Sequence, residues 1–188
     1  MGKNLKNIKT EEFVVIESGS TFGDGCLIRS HTIIYGGNKI GNNFQTGHGV
    51  LIRENNKIGN NVSIGSHSVV EHDVVIEDHC RIHSNVFIPE SSVLKKNCWI
   101  GPCVVLTNAK YPRSKNVKQN LKGVIVSENA KIGAGAVILP GVKIGQNALV
   151  GAGSVVTEDV LENVVVAGNP AKVIKNISEI KAYEETNL

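Results

Sequence analysis

Apolar residues recur along this chain every six positions. Stepping by six from Ile16 gives Ile16, Phe22, Ile28, Ile34, Ile40, Thr46, Ile52, Ile58, Ile64, Val70, Ile76, Ile82, Ile88, Leu94, Ile100 and Leu106, with Thr46 the one polar member. The frame resumes at Val126 and continues through Ile132, Ile138, Ile144, Val150 and Val156. Glycine often follows, as at Gly41, Gly59, Gly65, Gly101, Gly133 and Gly151, and the fourth position after each is small or β-branched, as at Cys26, Thr32, Val62, Ser68, Cys80, Cys98, Ala130 and Ala148. A period of six matches neither the helical 3.6 nor the flat strand's 2. It predicts short strands joined by corners, each strand turning one large and one small side chain inward. Three strands close one triangular coil, and coils stack at the strand spacing of ~4.8 Å. The expected fold is all-β: a parallel β-helix of about seven coils over residues 13–175, whose core exists only through stacking.

The interruptions are as informative as the frame. From Leu106 to Val126 the step is 20 instead of 6, so residues 109–123 leave the coil as one protruding loop. The loop carries Tyr111, Pro112, Arg113, Lys115, Lys118 and Lys122, and a long loop on a rigid scaffold is commonly functional. Residues 1–12 lack the repeat and read as a cap or tail. Residues 176–188 read as a short C-terminal helix or tail with Asn176 or Ser178 as its N-cap, placed to close the exposed strand edge of the last coil.

Composition narrows the class. Only 4% of residues are aromatic while 41% are hydrophobic, so the core is aliphatic. A net charge of +3, dispersed along the chain, gives no footprint for nucleic acid or an anionic membrane. No apolar run of membrane-spanning length and no leader pattern occurs, and a cytoplasmic protein is expected. The cysteines Cys26, Cys80, Cys98 and Cys103 form no CxxC pair, so no metal site is expected.

Stacking coil on coil places distant positions in columns. One corner column runs His31, Gly49, His67, Asn85, Cys103, and, once the loop is spliced out, Gly135 and Gly153. Its neighbour runs Ser30, His48, Ser66, Ser84, Pro102, Ala134 and Ala152. This edge is polar at one end and nearly bare at the other, and a bare backbone column can bed an extended ligand arm. The next corner holds Arg53, Glu54, Glu71, His72, Glu90, Thr107 and Asn108, where the loop emerges. Arg113 is its best phosphate-binding candidate, because a guanidinium matches phosphate geometry.

The sequence resembles the hexapeptide-repeat acyltransferases over nearly all of residues 14–175. Val150-Gly151-Ala152-Gly153-Ser154-Val155-Val156, followed by Ala167-Gly168-Asn169-Pro170-Ala171-Lys172, is similar to the terminal acetyl-CoA part of that family. Ser84-Asn85-Val86, Cys98-Trp99-Ile100-Gly101-Pro102, Thr107-Asn108 and Pro112-Arg113 resemble, more narrowly, the nucleotide-linked 3-amino-sugar N-acetyltransferases of surface polysaccharide synthesis. The resemblance implies a left-handed helix, a homotrimer with active sites between neighbouring solenoids, and acetyl-CoA as donor with no metal. It places Asn85 at the sugar amine. His67 and His48 are candidate proton acceptors, with the departing sulfur as the alternative. His83, Ser84, Asn108 and Arg113 join His48 as expected substrate contacts. Cys103, Ala134, Gly135, Ala152, Gly153, Pro170 and Lys172 are expected along the donor.

One coil departs from the subgroup's pattern: Phe44 stands at the usually small position and Thr46 at the usually aliphatic one. Such breaks often mark functional sites, which leaves the sugar open. Three other readings use the same residues. A sugar or serine O-acetyltransferase would need His67 or His48 as a base. A γ-type carbonic anhydrase would need three metal-binding histidines, for which His67 and His72 lack a partner. A non-enzymatic scaffold would need neither the loop nor the bare column.

Overall fold

A computed structural model describes residues 8–183. The chain winds into a three-faced parallel solenoid. The first face holds nine parallel strands, from Ile8–Thr10 to Val164–Gly168, and the second holds eight, from Val15–Ile16 to Val155–Val156. The third holds seven, from Thr21–Phe22 to Lys143–Ile144, extended by a bridge between Ile144 and Val160. The first face therefore has nine levels rather than about seven. Part of the difference is Ile8–Thr10, which lies inside the expected tail but pairs with Cys26–Ile28. So short a strand cannot display a period of six.

The register is the one the repeat demands. Ile64 pairs with Ile82 and Ile82 with Ile100, each one coil further on. Ile100 then pairs with Ile132 and Leu106 with Ile138, so the loop is spliced out without shifting the frame. The inward aliphatic side chains from Ile28 to Val156 are buried, with Cys26, Cys80, Cys98 and Ala130 filling the small positions between them. Each fully buried Ile or Leu contributes about 1.5–3 kcal/mol. The exchange at Phe44 and Thr46 is solved within the core. Phe44 is fully buried from the small position, and the Thr46 hydroxyl accepts a hydrogen bond from the Arg29 N–H at 2.9 Å. Large and small have traded places within one coil, which keeps the volume.

The C-terminal end differs from the expected helix. Val164–Gly168 continues the first face, and Ala171–Asn176 returns antiparallel to it, covering the last parallel edge. Two single 3₁₀ turns follow, Ile177–Glu179 and Lys181–Tyr183. Asn176 does cap the first: its side chain accepts from the Ser178 N–H, and Glu179 reaches back to the Asn176 N–H. The isoleucines at 174, 177 and 180 imitate helical spacing, but strand pairing holds the chain extended as far as Asn176. Residues 1–7 and 184–188, the rest of the expected tail and helix, lie outside the described residues.

Candidate active site at the first corner

The corner between the first and second faces is one continuous backbone column. His31, Gly49, His67, Asn85, Cys103, Gly135 and Gly153 all have positive φ, between 59° and 68°. Each donates its N–H to the coil before, as Asn85 does to Ser66 O, Cys103 to Ser84 O, Gly135 to Pro102 O and Gly153 to Ala134 O, at 2.8–2.9 Å. The left-handed turn costs ~1–2 kcal/mol for a residue with a Cβ, and least for Asn. The column's conformation is uniform; its side chains and its remaining amides are not.

Toward the N-terminal end the column is dressed. His48 Nδ1 lies 2.8 Å from Ser30 Oγ and 3.7 Å from Glu11 Oε2, which leaves Nε2 free. The His67 ring lies over Gly49, where an added Cβ would meet Nδ1 at 2.7 Å. Its ring makes no hydrogen bond among the described residues. Two of the neighbouring amides are satisfied by side chains: Ser30 N–H donates to Glu11 at 3.1 Å and His48 N–H to Ser66 Oγ at 3.0 Å, while those of Ser66 and Ser84 have no partner among the described residues. Asn85 ends this half, exposed and with its side chain unengaged among the described residues.

The turn that presents Asn85 is fixed from beneath. Ser68, fully buried, donates its hydroxyl to His83 O at 2.9 Å and accepts from the Val86 N–H at 3.1 Å. One hydroxyl thus bridges the two ends of the turn that carries Ser84 and Asn85. The equivalent position in the neighbouring coils is Val50 or Val86, so the polar group is local to this turn. His83 itself is turned away from the groove. Its ring packs tilted against Trp99 at 4.7 Å and 57°, on the outer side of the first face, with Nε2 buried and without a partner among the described residues. Burial, and then the Arg81 charge, hold its pKa below the ordinary value.

Beyond Asn85 the column is bare. Cys103, Ala134, Gly135, Ala152 and Gly153 are exposed, and a Cβ on Gly135 or Gly153 would find nothing within 4 Å. By contrast, a Cβ on Gly133 would sit 2.5 Å from the Ala152 nitrogen, so that glycine is required by packing and these two are not. The amides of Ala134 and Ala152 have no partner among the described residues, unlike that of His48. The strip ends at the returning hairpin, where the Gly168 N–H donates to Ser154 Oγ and the exposed Pro170 and Lys172 follow.

Asn108 and Arg113 lie elsewhere in the chain. They belong to the second corner, across the width of the second face from Asn85. Thr107 and Asn108 anchor the loop there: Thr107 Oγ1 donates to Ile138 O, and Asn108 O accepts from the Lys122 N–H. Arg113 is exposed and forms no ion pair among the described residues. The same corner holds two ionic clusters. Arg53 binds Glu54 at 2.8 Å and Glu71 at 3.4 Å, while His72 lies 2.8 Å from both Asp73 and Glu90. The hydrogen bond to Asp73 leads the interactions that raise the pKa of His72.

Between the two corners, the outward residues of the second face are Val15, Ile33, Leu51, Val69, Phe87, Val105, Val137 and Val155, aligned in register. All eight are apolar. The third face shows Thr21, Lys39, Lys57, Val75, Val93, Ile125 and Lys143 in the same role. Among the described residues no group of three His, Cys, Asp or Glu is arranged to hold a metal, and no helix is long and apolar enough to cross a membrane.

Residues 57–90 and 123–158 match the family described as bacterial transferase hexapeptide (six repeats). The 2,3,4,5-tetrahydropyridine-2,6-dicarboxylate N-acetyltransferase of Halalkalibacterium halodurans is 55% identical over 84 residues, 45% of this chain and 32% of that protein. The galactoside O-acetyltransferase of Lactococcus lactis is 33% identical over 90 residues, 45% of this chain and 44% of that protein. The match thus spans less than half the length of these relatives. A solved variant of the GDP-perosamine N-acetyltransferase of Caulobacter crescentus, in complex with CoA and GDP-perosamine, is 24% identical, with 90% of this chain and 58% of that chain covered at a TM-score of 0.46.

Proposed function

We propose, from the premise that this chain belongs to the bacterial transferase hexapeptide family, that it transfers an acetyl group from acetyl-CoA to the amine of a nucleotide-linked amino-deoxy sugar, with a dTDP or UDP carrier, for surface polysaccharide synthesis. The observation that carries this reading is the first corner: one uniform column, dressed as far as Asn85 and bare beyond it. The donor's pantetheine arm lies along Cys103, Ala134, Gly135, Ala152 and Gly153, and its carbonyls accept from the unpaired Ala134 and Ala152 amides. Its far end reaches Pro170 and Lys172. The thioester then stands beside Asn85.

Chemically, the free amine attacks the thioester carbon, the carbonyl oxygen becomes an oxyanion, and the C–S bond breaks as the carbonyl reforms. Asn85 accepts a hydrogen bond from the amine through its side-chain oxygen and fixes the lone pair on the carbonyl. The amine proton leaves with the thiolate, so no side-chain base is required. Ser84 borders the sugar, while His67 and His48 line the acceptor side. The apolar second face packs against two further copies. This brings each Asn85 near the second corner of a neighbour and so joins it to Asn108 and Arg113.

A second reading, O-acetyl transfer to a sugar hydroxyl, is favoured by one feature. Ser30 and Glu11 engage His48 Nδ1 and leave Nε2 free, as a base requires. The deciding experiment mixes the protein with acetyl-CoA and a panel of nucleotide-linked 3-amino and 4-amino hexoses, and follows CoA release and product mass. Amine-dependent gain of one acetyl mass is the expected result. Turnover of hydroxyl acceptors alone would shift the chemistry to His48. Silence with every acceptor, together with no binding of acetyl-CoA, would leave a scaffold.

A further inference from the structure

The loop at residues 109–123 holds five cations, Lys110, Arg113, Lys115, Lys118 and Lys122, and no Asp or Glu. Since the whole chain carries +3, the remainder sums to 3 − 5 = −2. None of the five forms an ion pair among the described residues. Crowding like charges into one short loop costs stability unless an anion neutralises them. The loop is nevertheless folded. Ser114 N–H donates to Tyr111 O, Val117 N–H to Ser114 O, and a 3₁₀ turn spans Val117–Asn120. Lys122 is held from both sides, its N–H donating to Asn108 O and its carbonyl accepting from the Gly141 N–H.

This fold encloses a cavity of about 350 Å³ against Pro140, lined by Lys110, Tyr111, Ser114, Val117 and Lys122. That volume is at the lower end of small-molecule sites, ~300–1,000 Å³. The Tyr111 ring is exposed, with Lys110 Nζ 5.6 Å from its centre. Arg113, the residue the sequence favours for phosphate, does not line the cavity. The lining therefore combines an aromatic ring and the apolar Val117 and Pro140 with two ammonium groups and a hydroxyl. An inorganic anion would leave the ring unused, and an uncharged sugar would leave the cations without a counter-charge.

We infer that this loop cavity is a binding site for a phosphorylated nucleoside, with the base on Tyr111 and the phosphate oxygens on Lys110 and Lys122. Two molecules of the proposed reaction carry that chemistry: the sugar's nucleotide carrier and the phosphoadenosine end of CoA. The choice between them rests on the acetyl-transfer reading; the site does not.

The test is calorimetric titration of the whole protein with uridine diphosphate, thymidine diphosphate, CoA, dephospho-CoA and inorganic phosphate, repeated for Lys122→Ala and Tyr111→Ala. Both side chains are exposed, and circular dichroism checks the fold. The expected result is nucleoside diphosphate binding weakened about tenfold or more in each variant, ~1.4 kcal/mol, with CoA affinity unchanged. Loss of CoA affinity in both variants, with dephospho-CoA weakened by Tyr111→Ala but not by Lys122→Ala, would also support the site and assign it to the donor. Wild-type affinities in both variants, or inorganic phosphate binding as tightly as the nucleotides, would overturn it. Each outcome can be read even if no acceptor turns over, because no step requires acetyl transfer.

Discussion

The two halves of the first corner share a backbone and differ in what covers it. Before Asn85, the amides of Ser30 and His48 are taken by Glu11 and Ser66, and the His67 ring fills the space over Gly49. Past it, the Ala134 and Ala152 amides have no partner among the described residues, and Gly135 and Gly153 face open space. A solenoid needs the left-handed corner at every level, so the corner alone says nothing about function. The Ser66 and Ser84 amides are also unpaired among the described residues, so what distinguishes a ligand bed is that the second half leaves its donors uncovered by side chains. Asn85 stands at the boundary, where a donor lying on the bare half would meet an acceptor held by the dressed half.

Substitution at that boundary has the largest expected effect. Asn85→Ala removes the group that orients the amine, and acetyl transfer should fall roughly 100-fold or more while acetyl-CoA still binds; steady-state kinetics with thermal melting check both. Gly135→Asn tests the bare half. Asn is at ease in the left-handed region, as Asn43, Asn61 and Asn97 show here, and no atom lies within 4 Å of the new Cβ. Stability should hold, while KM for acetyl-CoA rises about tenfold, ~1.4 kcal/mol. Ordinary KM in this variant would mean that the strip is bare for another reason.

Ser68→Ala sharpens the boundary from inside. It strips the bridge from His83 O and the Val86 N–H, at a cost of about 1–3 kcal/mol of stability. It should lower kcat several-fold, with KM for acetyl-CoA unchanged, because the turn bearing Asn85 loosens. In an Asn85→Ala background the same change should leave the residual rate where it is. An additive loss would make Ser68 a stability element only.

The smallest effect lies away from the column. The hydrogen bond with Asp73, and then the charge of Glu90, hold the folded-state pKa of His72 above its unfolded value of ~6.5. Its contribution is complete below that pH and fades as pH rises through the folded pKa. Partial exposure limits it to ~0.2–1 kcal/mol. His72→Gln should flatten stability against pH above ~6.5 without altering acetyl transfer.

How much of this is legible in the sequence depends on distance along the chain. Contacts fixed by the six-residue frame can be counted out in advance. The column from His31 to Gly153 falls where stepping coil by coil and skipping the loop puts it. Contacts set by side-chain direction cannot be counted. Nothing in the spacing says that His48 turns to Glu11, two coils earlier, or that His83 lies on Trp99 rather than over the groove. The C-terminal hairpin is hidden for another reason. Its isoleucines carry a helical spacing, and only pairing with Val164–Gly168 makes that stretch a strand. Ser68 is visible merely as a small residue in frame, because its role depends on the turn lying one coil above it.

Cys103 can report directly whether acetyl-CoA occupies the bare half. Cys26, Cys80 and Cys98 are buried, whereas Cys103 is exposed between Asn85 and Gly135. N-ethylmaleimide should therefore label Cys103 alone in the native protein. With saturating acetyl-CoA, whose blocked thiol does not consume the reagent, labelling should slow in proportion to occupancy, about tenfold or more. An unchanged labelling rate in a protein that demonstrably binds acetyl-CoA would place the donor elsewhere and contradict the division of the corner into two halves.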